Sequence, residues 1–170
     1  MKFKSFLTVL FIYTGGLLQA SNEIYLDQIG SAGIFNISQI GSSNKLGEGT
    51  NRARIEGEEV VFNVGTIGNE NLIDIDSIGN EEVVNLNLEG DANELILAIE
   101  GDKNEINAFV SGDSNNVLIA GNEDDTQKAT VHNGLINLNI EGASNDVDLL
   151  LFDTSYTFTD YHIAGSLNEV

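Results

Sequence analysis

Glycine returns every eleven residues through the middle of this 170-residue chain: Gly57, Gly68, Gly79, Gly90, Gly101 and Gly112 hold one phase. Gly30 and Gly41 are a further pair at the same spacing. Asparagine follows three residues after many of these glycines, at Asn44, Asn71, Asn93, Asn104, Asn115, Asn145 and Asn168. A fixed period is the mark of a repeat architecture, in which each unit buries its apolar face against its neighbours. A β-sandwich of ordinary hairpins is the rival arrangement, and it has no need of a constant period.

Within a unit the period is two. Leu95, Leu97 and Ile99 fall on one face, while Glu94, Ile96, Ala98 and Glu100 fall on the other. Successive Cβ atoms of a strand point to opposite faces, so this alternation predicts strands. The Gly-x-x-Asn between them supplies residues that tolerate positive φ, hence a tight turn. One strand and one turn take eleven residues, so two of each close a coil of about 22 residues. The predicted fold is therefore all-β, a β-solenoid of five to six such coils with two facing parallel sheets. Coils stacked about 4.8 Å apart would bring Asn71, Asn93 and Asn115 into an amide ladder at one corner. The complete absence of proline agrees, because no strand then lacks a backbone donor.

Two intervals break the period. Gly41 to Gly57 is sixteen residues, which predicts about five extra residues at a turn around 45–50. Gly112 to Gly142 is 30 where three units need 33, and an acidic run, Glu123-Asp124-Asp125, lies inside it. Distorted rungs or loops are expected at both places. The end of the chain is also loose and aromatic, with Phe152, Tyr156, Phe158 and Tyr161, and reads equally as a cap or as an anchor to a partner.

The first twenty residues read as an address. Lys2 and Lys4 precede an apolar run from Phe6 to Leu18, which ends near the small residue Ala20. That run is too short for a membrane span, which needs roughly 20 residues. Residues 1–20 are thus expected to be a signal peptide and residues 21–170 a secreted repeat domain. Loss of the two lysines takes the net charge from -20 to -22.

Charge and composition exclude several classes. A chain this acidic lacks the basic footprint of a nucleic-acid binder. Without cysteine there is no disulfide framework, thiolate metal site or thiol nucleophile. Asp74 and Asp76 begin like an EF-hand loop, but Ile78 and Asn85 stand where oxygen ligands belong, so both read as surface acids. His132 and His162 have no catalytic or metal-binding motif around them. The expectation is a non-enzyme with no catalytic, cofactor or metal site and no small-molecule substrate. The stacked acids Asp91 and Asp113 read as a solvated face that keeps the chain soluble; the sharper alternative makes them a pH- or divalent-sensitive brake on assembly.

One family shares this pattern. Asn22-x5-Gln28-x-Gly30, followed by Gly33-x5-Gln39-x-Gly41-x-x-Asn44, resembles the curlin repeat of bacterial curli. The spacing runs through nearly all of residues 22–168, whereas the glutamine identity covers Gln28 and Gln39 alone. The resemblance implies a secreted subunit of an extracellular amyloid fibre on the surface of a Gram-negative bacterium, supporting adhesion and biofilm. It also implies export machinery in the outer membrane, other curlin subunits or the chain itself as partners, and a divergent, nucleator-like rank.

Physical reasoning points the same way. A solenoid end is an unpaired strand edge unless something covers it. The first coil carries neither proline nor lysine to blunt its edge, and it is as regular as an interior one. The residues assigned to assembly are Gln28, Gln39, Asn71, Asn93, Asn104 and Asn115. With them go the turn glycines Gly30, Gly41, Gly79, Gly90, Gly101 and Gly112. The alternatives are a monomeric acidic solenoid that binds calcium or a surface ligand, and an appended carbohydrate binder or enzyme.

Overall fold

The computed structural model describes residues 23–120, 129–152, 158–166 and 168–169. The expected signal peptide therefore lies outside the described residues. The described residues form a β-solenoid of six coils. Every strand pair is parallel, and the strands form two facing sheets, one of ten short strands and one of six.

The register is what makes the coils. Glu94 pairs with Leu72 on one side and Asn116 on the other, each 22 residues away. In the second sheet Val83 lies between Val61 and Glu105 at the same interval. A shift of one residue would turn every apolar side chain outward, so the alternating burial along Ile34–Ile40 and Val83–Glu89 locks the register. Inward columns form a single core. In the first sheet Ile73, Leu95 and Val117 stack directly, and in the second Phe62, Val84 and Ile106 do. Phe35 and Phe62 stack at the start of that second column, their ring centroids 6.1 Å apart.

The turns use positive φ differently from the expectation. Glycine opens most turns in extended but positive geometry, as at Gly90 with φ 124°, whereas Gly57 and Gly79 open theirs without positive φ. The left-handed residue is the second one after it, and there the sequence varies freely: Ala32, Glu70, Ala92, Lys103 and Ser114 all have φ between 55° and 62°. The asparagine that follows is not left-handed; its role is hydrogen bonding. Turn acids also have a structural part. Oδ1 of Asp91 accepts the amide of Asp113 at 2.8 Å, and Oδ1 of Asp113 accepts the amide of Ala143 at 2.7 Å. The exposed turn acids thus tie successive coils together.

The first irregular interval lies elsewhere than expected, and the second divides differently. Leu46 pairs with Ile73 and Ala53 with Ile75, so the five extra residues interrupt a strand in the middle of the first sheet, not at a turn. They include a single 3-10 turn, Gly49–Asn51. Arg52 folds from this insertion onto Asp74, pairing with its carboxylate and donating to the Ile75 carbonyl at 3.2 Å. Asp74, expected at the surface, is consequently only 1% exposed. In the fifth coil Ala120 pairs with Ala98 and Thr130 with Glu100. The interval of 30 is therefore one complete coil plus eight residues, also inserted in mid-strand, and not three shortened units. The parallel backbone ladder resumes on the far side of each insertion.

Candidate functional site

Two polar corners join the sheets, and they differ. The first is a continuous asparagine ladder of all six coils: Asn44, Asn71, Asn93, Asn115, Asn145 and Asn168. Each backbone amide donates to the side-chain Oδ1 of the next coil, at 3.0, 2.9, 2.8, 2.8 and 2.9 Å in that order. The Nδ2 groups of Asn44, Asn71 and Asn93 donate to the carbonyl of the turn glycine three residues earlier. Asparagine is required because the site needs an acceptor and a donor on one short, uncharged arm. Asn71, Asn93 and Asn115, expected together, share this corner.

Asn104 stands at the opposite corner, in a column with Gly33, Val60, Glu82 and Gly134. Its Oδ1 accepts the amide of Glu82 at 3.1 Å, and its Nδ2 donates to the Gly79 carbonyl at 3.0 Å. The turn glycines Gly30, Gly79 and Gly101 line this corner, and Gly41, Gly90 and Gly112 line the first. Gln28 and Gln39 occupy inward columns but stack on Ile55 and Thr66, so neither continues into a glutamine ladder. Gln39 is buried and its Nε2 reaches the Lys45 carbonyl at 3.3 Å.

Glu82 is the residue that sequence reasoning passed over. It fills the slot three residues after Gly79 that asparagine takes in other units, and it is 1% exposed. Ser77 Oγ donates to its Oε2 at 2.5 Å, whereas Oε1 is buried without a hydrogen-bond partner. Burial penalises the charge and pushes the carboxyl up to about 7, although the Ser77 hydroxyl opposes the shift. A neutral carboxyl restores a donor to the corner and is the nearest acidic mimic of asparagine. Because the folded state holds this proton more tightly, stability is full below the ordinary carboxylate range and is lost as pH rises through 7. Between pH 5 and pH 8 the wild type should lose about 1–3 kcal/mol more than Glu82→Gln, allowing for solvent screening at the corner. Denaturant titrations of both proteins at the two pH values check this; parallel losses would remove Glu82 as the cause.

A third amide array lies outside the core and was not singled out by the repeat pattern. Asn36, Asn63, Asn85, Asn107 and Asn137 point outward from the second sheet, and from Asn63 onward each Nδ2 donates to the Oδ1 of the preceding coil at 2.6–2.9 Å. They floor an open groove of about 850 Å³ that runs from Asn36 to His162, past Phe109. The signal was present in the sequence, as asparagine at the same outward position of successive units.

Elsewhere the titratable groups do not converge. Among the described residues no group of three or more histidine or acidic side chains is placed to hold a metal ion. His132 Nδ1 meets Asp102 Oδ1 of the preceding coil at 3.0 Å, and His162 is exposed at the end of the groove. No protein-family model matches the chain, and no curated protein or solved structure matches it either.

Proposed function

We propose that this protein is a secreted structural subunit of curli-like extracellular fibres, growing by strand addition at the solenoid ends and supporting adhesion and biofilm at a Gram-negative cell surface. The observation that carries the reading is the end of the stack. The outer edge of the first coil, Glu23–Ile24, Asp27–Ile29 and Ile34–Ile40, pairs with no other described strand. Tyr25, Ile29, Ile34 and Ile40 on this coil are all at least half exposed. A parallel, in-register stack with an amide ladder along its length is the geometry of cross-β assembly, and an open edge is its template. The partners in this reading are further copies of the chain or other curlin subunits, delivered by outer-membrane export machinery.

The test is thioflavin fluorescence with electron microscopy on residues 21–170, freshly desalted. Fibres whose lag is abolished by preformed seeds are expected, and a persistent β-rich monomer that ignores curlin seeds would overturn the proposal. Gln28→Leu and Gln39→Leu should slow seeding several-fold, since each alters the inward column of the growing coil. Unchanged kinetics in both would refute their assembly role.

A further inference from the structure

The outer groove of the second sheet has features that growth at the solenoid ends does not use. We propose that it binds an extended, uncharged polysaccharide lying parallel to the solenoid axis. In a chain of net charge -20, the acids of this sheet face, Glu89, Glu105 and Glu141, stand at its margins, and Asp160 at the far end is the one acid among the described residues lining the groove. The floor is instead a row of amides. An asparagine side chain offers two N–H donors and two lone pairs, and the ladder consumes one of each. Each interior rung therefore keeps a donor and a lone pair for a ligand, repeated about every 4.8 Å. Asn107 is the exception, because its Nδ2 also donates to Glu105 at 2.9 Å.

The walls and floor complete the selection. Along the margins of the same sheet the partly exposed Ile67 stands with Glu89, Glu105 and Glu141, which frame the groove with negative charge. Half-buried Phe109 presents an apolar ring on the floor, and at Gly65 nothing lies within 4 Å of where a Cβ would stand. The groove is thus open-ended, crosses six coils and is about 24 Å long. A matching ligand must be linear and neutral, rich in hydroxyls at regular intervals, with ring faces that stack on an aromatic side chain. Polyanions are repelled by the chain's charge. A peptide strand finds no free backbone edge here, because the floor is a sheet face. A second copy would present the same concavity, and two hollows do not fill one another.

The test is affinity electrophoresis of the intact chain in native gels containing hydroxyethylcellulose, mannan or amylose, with polygalacturonate as the charged control. Retardation by at least one neutral polymer and not by polygalacturonate is expected. Phe109→Ala and Asn85→Asp should each weaken it at least fivefold while leaving the circular dichroism spectrum unchanged. The proposal fails if no neutral polymer retards the chain, or if both variants are retarded like wild type. Concentration-dependent pairing in sedimentation runs that is lost in Asn85→Asp, without polymer retardation, would reassign the groove to a second copy. Fibre formation is read separately, so glycan binding and end-to-end assembly stand or fall independently.

Discussion

Gly90→Ala should destabilise the solenoid by about 3–5 kcal/mol, the range of severe backbone and packing lesions. Gly90 has φ 124°, which side-chain-bearing residues rarely adopt, and its turn stacks directly on that of the preceding coil. A Cβ there would stand 2.2 Å from the Gly68 carbonyl oxygen and 2.7 Å from Asn69 Oδ1. The first obstacle is backbone, so no rotamer change relieves it. The coil would have to lift away from its neighbour, straining the bond from the Gly68 amide to the Glu89 carbonyl, now 2.8 Å. Equilibrium unfolding in guanidinium chloride, followed by circular dichroism, measures the loss. Gly65→Ala is the control, because its Cβ would enter open space in mid-strand, and it should change stability by less than about 0.5 kcal/mol. Stability in a repeat stack is partly local, so amide exchange should quicken most around residues 68–112. A Gly90→Ala protein as stable as the Gly65→Ala control would disprove the stacking argument.

Asn93→Leu should cost about 2–5 kcal/mol, because it strands two buried polar groups at once. The Asn71 amide loses its acceptor at 2.9 Å and the Gly90 carbonyl loses its donor at 2.8 Å. Leucine keeps the branched shape of asparagine and leaves no cavity, so the loss reports on hydrogen bonding together with crowding by its larger methyl groups. Asn93→Asp separates the two bonds: it keeps the oxygen for the Asn71 amide but cannot donate to Gly90 when ionised. Its stability should therefore fall between wild type and Asn93→Leu at acid pH and drop further as the aspartate ionises. Asn85→Ala on the outer ladder, where water replaces lost partners, should cost less than about 1 kcal/mol. Equal losses at Asn93 and Asn85 would mean that burial of the corner ladder contributes nothing.

The two-residue alternation assigned inward and outward faces correctly across Val61–Ile67 and Glu94–Asp102, because a strand leaves a side chain only two directions. The eleven-residue glycine step located the turns for an equally local reason, since stacked backbones leave no room for a Cβ. What alternation could not report is whether an outward side chain meets water. Asp74 points outward, yet Arg52 from an insertion five residues long covers it. The position of that insertion was itself illegible, because an interval between glycines does not say where along it the extra residues fall. Only the pairing of both flanking segments with the same neighbouring strand resolves it.

The period of eleven and the apolar alternation by themselves determined the parallel solenoid, its coil length and the asparagine corner. These are properties of a backbone repeating against itself, and each unit carries the whole instruction. Tertiary structure alone decided which polar groups are dry, as at Glu82, and which outward acids are covered, as at Asp74. Those depend on what neighbouring coils and insertions cover, and that is settled by residues 22 or more positions away.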